Sequence, residues 1–246
     1  MTSTIKAVTF DFWQTLVEDS PKNLAKQRAR RMDAIAAILR RAGCPLSGRK
    51  VEAAYERSER VLHERFWSRD RDPAIGDQVQ LVLDIAAPGI CVGLEPALLE
   101  EAVTGYSDPV LHFPPDLHPG AAEAVTGLAG RGIALGIVSN TGRTPGVILR
   151  RILERYDLLR HFSVLSYSDE VGYRKPDPEI FRRTLAGLGA EARHAAHVGD
   201  NPIADVTGAQ GAGMRGVHLA AGGRPPAAHA DVVVTDLRHL VDCLFA

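Results

Sequence analysis

A short run of apolar and β-branched residues, Ile5-Lys6-Ala7-Val8-Thr9-Phe10, ends at a carboxylate, Asp11, and no comparable run follows for about a hundred residues. A run of this kind without strict polar alternation reads as a strand buried on both faces, which is the habit of parallel sheets. A parallel strand needs partners, and the candidates all lie beyond residue 119. There, strand-like runs at 133–138, 162–165, 195–198, 216–219 and 232–234 alternate with helical patterns at 121–129, 145–156, 178–188, a Gly-rich stretch ending at Gly213, and a last helix from Leu237. Strands alternating with helices predict an α/β fold, a parallel sheet with helices on both faces.

The segment between the first strand and its partners reads as helix throughout. Leu24, Met32, Ile35, Ile38 and Leu39 recur at helical spacing from 23 to 42, and Gly43 and Pro45 end the run. Ser47 is placed to cap a second helix carrying Val51, Tyr55, Val61, Leu62 and Phe66; a charged break at 69–73 precedes further helices at 77–86 and 96–106. Two prolines at 114–115 and Pro119-Gly120 return the chain. The expected organisation is a discontinuous core, residues 1–16 and 113–246, with an all-helical insertion at 17–112.

Composition excludes more than it selects. A chain of 246 residues with a formal net charge of −1 has no global pull toward nucleic acid or a membrane surface. No apolar run approaches the ~20 residues a membrane helix needs, and no signal-peptide h-region is present. Cys44, Cys91 and Cys243 are widely spaced and form neither a disulfide framework nor a zinc pattern. A cytoplasmic protein is expected. The nine His residues show no ligand spacing, and His194 and His197 read as structural or surface residues. Arg28-Ala29-Arg30-Arg31 and Arg40-Arg41 read as solvated helix faces; Arg65, Trp67, Arg69 and Arg71, around the second helix and the loop after it, read as solvent-facing, with substrate contact the less favoured alternative.

Four strand tips carry polar residues: Asp11-Phe12-Trp13-Gln14-Thr15-Leu16, then Ser139-Asn140, then Lys175-Pro176-Asp177-Pro178, then Gly199-Asp200-Asn201-Pro202-Ile203-Ala204-Asp205. In open α/β sheets ligands bind at that edge. In type, order and spacing these segments resemble the four motifs of the haloacid dehalogenase-like hydrolases, and the helical insertion resembles the cap that such enzymes carry after their first motif. The resemblance implies a Rossmann-like core and an Asp11 nucleophile that forms an aspartyl-phosphate, splitting one hard displacement into two. Ser139 and Asn140 are implied to hold the phosphoryl oxygens, and Lys175, one of only five lysines, to neutralise nucleophile and transferring group. Mg²⁺ is implied at Asp11, the Trp13 backbone carbonyl and Asp200, with Asp205 in support; hard oxygen ligands suit that ion. Asp177 alone reads as a helix cap, and Gly208-Ala209-Gln210-Gly211-Ala212-Gly213 as a false match to a dinucleotide loop, since it lies in or after a helix.

One residue departs from the family pattern. The position two after the nucleophile is an acid in the phosphatases, where it protonates the leaving oxygen; here it is Trp13, whose indole only donates a hydrogen bond. Three readings stay open: a phosphatase of a small phosphorylated metabolite, slow on unactivated esters; chemistry that needs no leaving-group proton, as in the family's 2-haloacid dehalogenases or phosphonate hydrolases; or a non-catalytic binding descendant. Retention of both Asp200 and Asp205 favours phosphoryl chemistry, because the dehalogenases lack an acid equivalent to Asp200. The phosphonate hydrolases add a cap lysine, and Lys22, Lys26 and Lys50 stand in no context that argues for it.

Overall fold

The structure is a computed structural model and describes residues 4–245. In chain order its elements are β1 (Ala7–Phe10), β2 (Val17–Glu18), α1 (Pro21–Arg41), α2 (Gly48–Arg65), α3 (Ile75–Ala86), α4 (Pro96–Ser107), α5 (Pro109–His112), β3 (Asp116–Leu117) and α6 (Ala121–Gly130). They continue as β4 (Ala134–Ser139), α7 (Gly146–Arg155), β5 (Val164–Tyr167), α8 (Ser168–Val171), α9 (Pro178–Leu188), β6 (Ala195–Gly199), a π-helical turn at Pro202–Thr207, α10 (Gly208–Gly211), β7 (Arg215–Leu219), β8 (Val232–Val234) and α11 (Leu240–Phe245).

Six strands form one parallel sheet in the order β5-β4-β1-β6-β7-β8, so the first strand of the chain lies in its middle. That position explains the unbroken burial of Ala7 to Phe10: both edges are paired and both faces covered. On one face Phe10, Leu135, Ile137, Leu149 and Val125 share a cluster; on the other, Ala7, Val138, Ile180 and Phe181 do. The α/β expectation holds. The fifth strand starts at Val164 rather than 162, because Phe162 turns inward and meets the Phe10 ring edge-on at 6.3 Å. Its hydrophobicity serves the core, not the ladder.

Helices α1–α4 enclose a separate cluster of Ile35, Leu39, Tyr55, Val79, Leu83 and Tyr106. The chain enters this block through β2 and leaves it through β3, and the two pair antiparallel, a two-residue ribbon invisible to periodicity. Gln27 fastens both connections, donating from Nε2 to Asp19 Oδ2 and to the Phe113 carbonyl, each at 2.8 Å. Helix α1 begins two residues before the expected Asn23, at Pro21, with Ser20 accepting from the Asn23 amide at 3.1 Å. Ser47 stands at the start of α2, but its side chain makes no capping bond. Asp177 caps α9 as expected, accepting from the Glu179 amide at 2.9 Å.

Candidate active site

Parallel strands deliver their C-terminal ends to one edge, and all four motif segments meet there. The Asp11 amide still donates to Val198 O at 2.9 Å, as a last rung of the ladder. The chain then folds into a tight loop: the Leu16 and Val17 amides both return to Phe12 O, and Gln14 adopts a left-handed φ of +57°. Trp13 sits in this loop, half-buried, with its ring edge-on to Phe12 at 5.0 Å.

Lys175 is 4% exposed, and its ammonium donates to Asp11 Oδ1 and to Asp205 Oδ1, both at 2.6 Å. Burial alone would lower the lysine's pKa; the two carboxylates outweigh it and raise it, so the ammonium stays charged. Asp205 is likewise penalised by burial, yet Lys175 and the ring of His197 hold it well below the usual carboxylate range. For Asp11 the balance goes the other way: burial, with the repulsion of Asp205, raises its pKa despite Lys175. Asn140 clasps the lysine's backbone from both sides, accepting from the Lys175 amide at 2.8 Å and donating to its carbonyl at 3.0 Å. Ser139 Oγ is fully buried and has no hydrogen-bond partner among the described residues. A buried hydroxyl left unbonded is costly, and it fits a ligand oxygen at this edge.

Asp205 owes its place to two local features. The turn carrying it is π-helical, with the Val206 amide reaching back five residues to Asn201 O; such widened turns gather at functional sites. The residue beneath it must be glycine, since a Cβ on Gly199 would lie 2.1 Å from the Asp205 carboxyl carbon. One residue that sequence reasoning left structural proves to touch the site. His197 Nε2 donates to Asp205 Oδ1 at 3.1 Å, and its Nδ1 accepts from the Thr9 hydroxyl at 2.8 Å. Burial lowers the His197 pKa, which keeps the ring neutral. The only sequence signal for it was a polar residue inside an otherwise apolar strand.

Asp11, Asp200 and Asp205 each offer a carboxylate oxygen, all within 4.8 Å of one another. Asp205 already spends Oδ1 on Lys175 and His197 and Oδ2 on the Asn201 amide at 2.8 Å. Asp11 and Asp200 therefore carry the freer oxygens, an arrangement that suits a small hard cation keeping several waters. Asp200 pairs with Arg224 at 2.5 Å, and Arg224 also lines a cleft of about 490 Å³ with Gln14, Glu18, His118, Asp236 and Arg238. Burial, then the nearness of Asp11 and Asp205, pushes the Asp200 carboxyl up to about 6.

That shift has a measurable consequence. A carboxyl raised above its unfolded value contributes stability at low pH that is lost as pH rises through the folded value. Without divalent metal, this group should therefore favour the fold more at pH 4 than at pH 7. A cation needs the ionised form, so apparent Mg²⁺ affinity should weaken as pH falls below about 6. Calorimetric Mg²⁺ titrations at pH 5 and 7.5 check this; equal affinity at both would place any metal away from Asp200.

Comparison with known proteins identifies the family. The sequence pattern of the haloacid dehalogenase-like hydrolases matches residues 5–213, which include all four motif segments. The chain belongs to that family. A phosphoserine phosphatase of Thermus thermophilus is 41% identical over 128 residues, 50% of this hydrolase and 49% of that protein. The match thus spans about half the length of that relative. A 2-haloacid dehalogenase structure from Pseudomonas syringae superposes on the hydrolase with a TM-score of 0.74 at 26% identity, over 98% of this chain and 99% of the other. A HAD phosphatase structure from Thermococcus onnurineus gives 0.65 at 25% identity, over 98% of each. No helix among the described residues is long and apolar enough to cross a membrane.

Proposed function

We propose that this hydrolase is a Mg²⁺-dependent phosphatase of a small phosphorylated metabolite, with residues 1–16 and 113–246 as catalytic core and 17–112 as cap. The observation that carries the reading is the buried Lys175 bridging Asp11 and Asp205 beside Asp200. In this reading Asp11 attacks phosphorus as the ester P–O bond breaks, and water then hydrolyses the aspartyl-phosphate. Lys175, the Ser139 hydroxyl and the Asn140 backbone N–H meet the phosphoryl oxygens, where fixed donors stabilise developing charge, while the Asn140 side chain holds the Lys175 backbone. Mg²⁺, held by Asp11, the Trp13 carbonyl and Asp200 with Asp205 in support, would add positive charge against those same oxygens.

Trp13 sets the limits of the activity. Without an acid two residues after the nucleophile, the leaving oxygen departs unprotonated or takes its proton from water. General acid help is typically worth ~10²–10⁴-fold. Wild type is therefore expected to prefer p-nitrophenyl phosphate, whose leaving group is a stable anion, over alkyl phosphates by about that factor more than a relative with Asp there. Trp13→Asp should narrow the gap, and steady-state kinetics on both ester classes measure it. The likeness to a 2-haloacid dehalogenase structure favours one competing reading, in which halide is released from 2-haloacids without Mg²⁺. A panel of phosphate esters, phosphonates and 2-haloacids, each with Mg²⁺ or with chelator, separates the two. No turnover of any member would leave only a binding role.

A further inference from the structure

The charged break between α2 and α3 is the place where the cap meets the catalytic loops. Asp72 is 5% exposed and collects four donors. Its Oδ1 accepts from Trp67 Nε1 at 2.8 Å; its Oδ2 accepts from Ser168 Oγ at 2.5 Å, an Arg174 guanidinium nitrogen at 2.8 Å and Thr141 Oγ1 at 3.4 Å. Arg174 directly precedes Lys175, and Thr141 directly follows Asn140. Ser168 Oγ also accepts from the Thr141 amide at 2.9 Å. The backbones join too: the Arg174 amide donates to Asp70 O at 2.9 Å, and Arg71 bridges antiparallel to Tyr173.

We propose that Asp72 is a positioning residue through which the docked cap holds the Asn140 and Lys175 loops in register for catalysis. Asn140 ties those loops together on the side of the site, and Asp72 ties them on the side of the cap. A buried carboxylate facing this many donors fixes them geometrically: the Ser168 and Thr141 hydroxyls are buried with it, and the Arg174 side chain is only 16% exposed. The inference rests on the reading that Asn140 and Lys175 act on the phosphoryl group.

Asp72→Asn is the informative variant. Its amide keeps an acceptor for Trp67 but turns a donor group toward Arg174, which can only donate. The expected result is a fall in kcat on p-nitrophenyl phosphate of about 10- to 100-fold, the scale on which small misplacements act, with KM changed by less than about threefold. Amide exchange should quicken in peptides covering 139–141 and 174–175. Arg174→Gln in the same chain supplies an acceptor to the new amide and should recover part of kcat.

Arg71→Ala is the control. It removes the 2.6 Å pair with Asp177 and the packing on Tyr173, a fastening of the same loop that reaches neither Thr141 nor Ser168. It should leave kcat within about twofold of wild type. Equal effects of the two single variants would make Asp72 a mere fastener and overturn the proposal, as would an Asp72→Asn protein with unchanged kcat and exchange. Should wild type hydrolyse no phosphate ester, the functional reading fails and exchange alone decides: faster exchange confined to the two loops upholds the positioning role, and unchanged exchange refutes it.

Discussion

Asp11→Asn is expected to lower kcat on p-nitrophenyl phosphate by at least about a thousandfold while leaving the melting temperature unchanged or higher. The kinetic half follows from the proposed chemistry. An amide oxygen is a poor nucleophile, and losing a nucleophile typically leaves only the catalysis supplied by binding and fixed charge. The stability half follows from the site's electrostatics. Burial raises the Asp11 pKa, so folding disfavours its charged form, and Lys175 keeps Asp205 as a partner when Asp11 is neutralised. By the same sign, the wild-type penalty is present near neutral pH and fades as Asp11 protonates in acid, so the two proteins should converge in stability at low pH. Rapid-quench trapping of a phosphorylated wild-type enzyme, absent in the variant, is the direct check. Mg²⁺-dependent turnover surviving in Asp11→Asn would falsify the mechanism.

Lys175→Met should damage both properties. Methionine fills the same channel but leaves Asp11 and Asp205 facing each other without a cation in a site where Lys175 is almost wholly buried. Removing one partner of a buried ionic group typically costs about 3–5 kcal/mol, because the remaining charge stays buried. The loss should be greatest near pH 7 and shrink in acid, where protonation of the orphaned carboxylates relieves the repulsion. Activity should fall by about 10²–10³-fold, the usual cost of one preorganised donor to developing charge. Urea unfolding at pH 7 and pH 5, alongside kinetics below the melting transition, separates the two effects. A variant as stable as wild type at pH 7 would overturn the assignment of Lys175 as the charge that holds the two buried carboxylates.

The contrast between these variants shows what could be read along the chain. Asp11 and Asp200 were legible because each directly follows an apolar run at a strand tip, and Lys175, which stands beyond β5 and α8, because its Lys-Pro-Asp-Pro string resembles the family's third motif; the order of strands then brings them together. His197 was not. A histidine inside a strand says nothing about its partner until β6 lies beside β1 and sets Thr9 opposite it. Trp67 was misjudged for a related reason. Its neighbours in sequence are charged, and a charged break reads as solvent-facing, whereas Trp67 is half-buried and bonded to the buried Asp72; Arg71 is exposed as expected and pairs with Asp177 from there. The two-residue ribbon of β2 and β3 and the π-helical turn around Asp205 carry no periodic signal at all.

The sequence by itself determined the α/β class, the helical insertion, the family and the identity of the acidic and basic groups at the strand tips. Those follow from local pattern: burial on both faces leaves apolar runs, amphipathic helices leave a 3.6-residue period, and strand tips collect polar residues. Only the tertiary structure decided which of those groups share a buried contact and which residue of the helical insertion hydrogen-bonds to the loops beside them. Hydrogen bonds and ion pairs act over a few ångströms, and here they join residues as far apart as 11 and 175 or 72 and 168. No pattern in the order of residues encodes that distance; packing does.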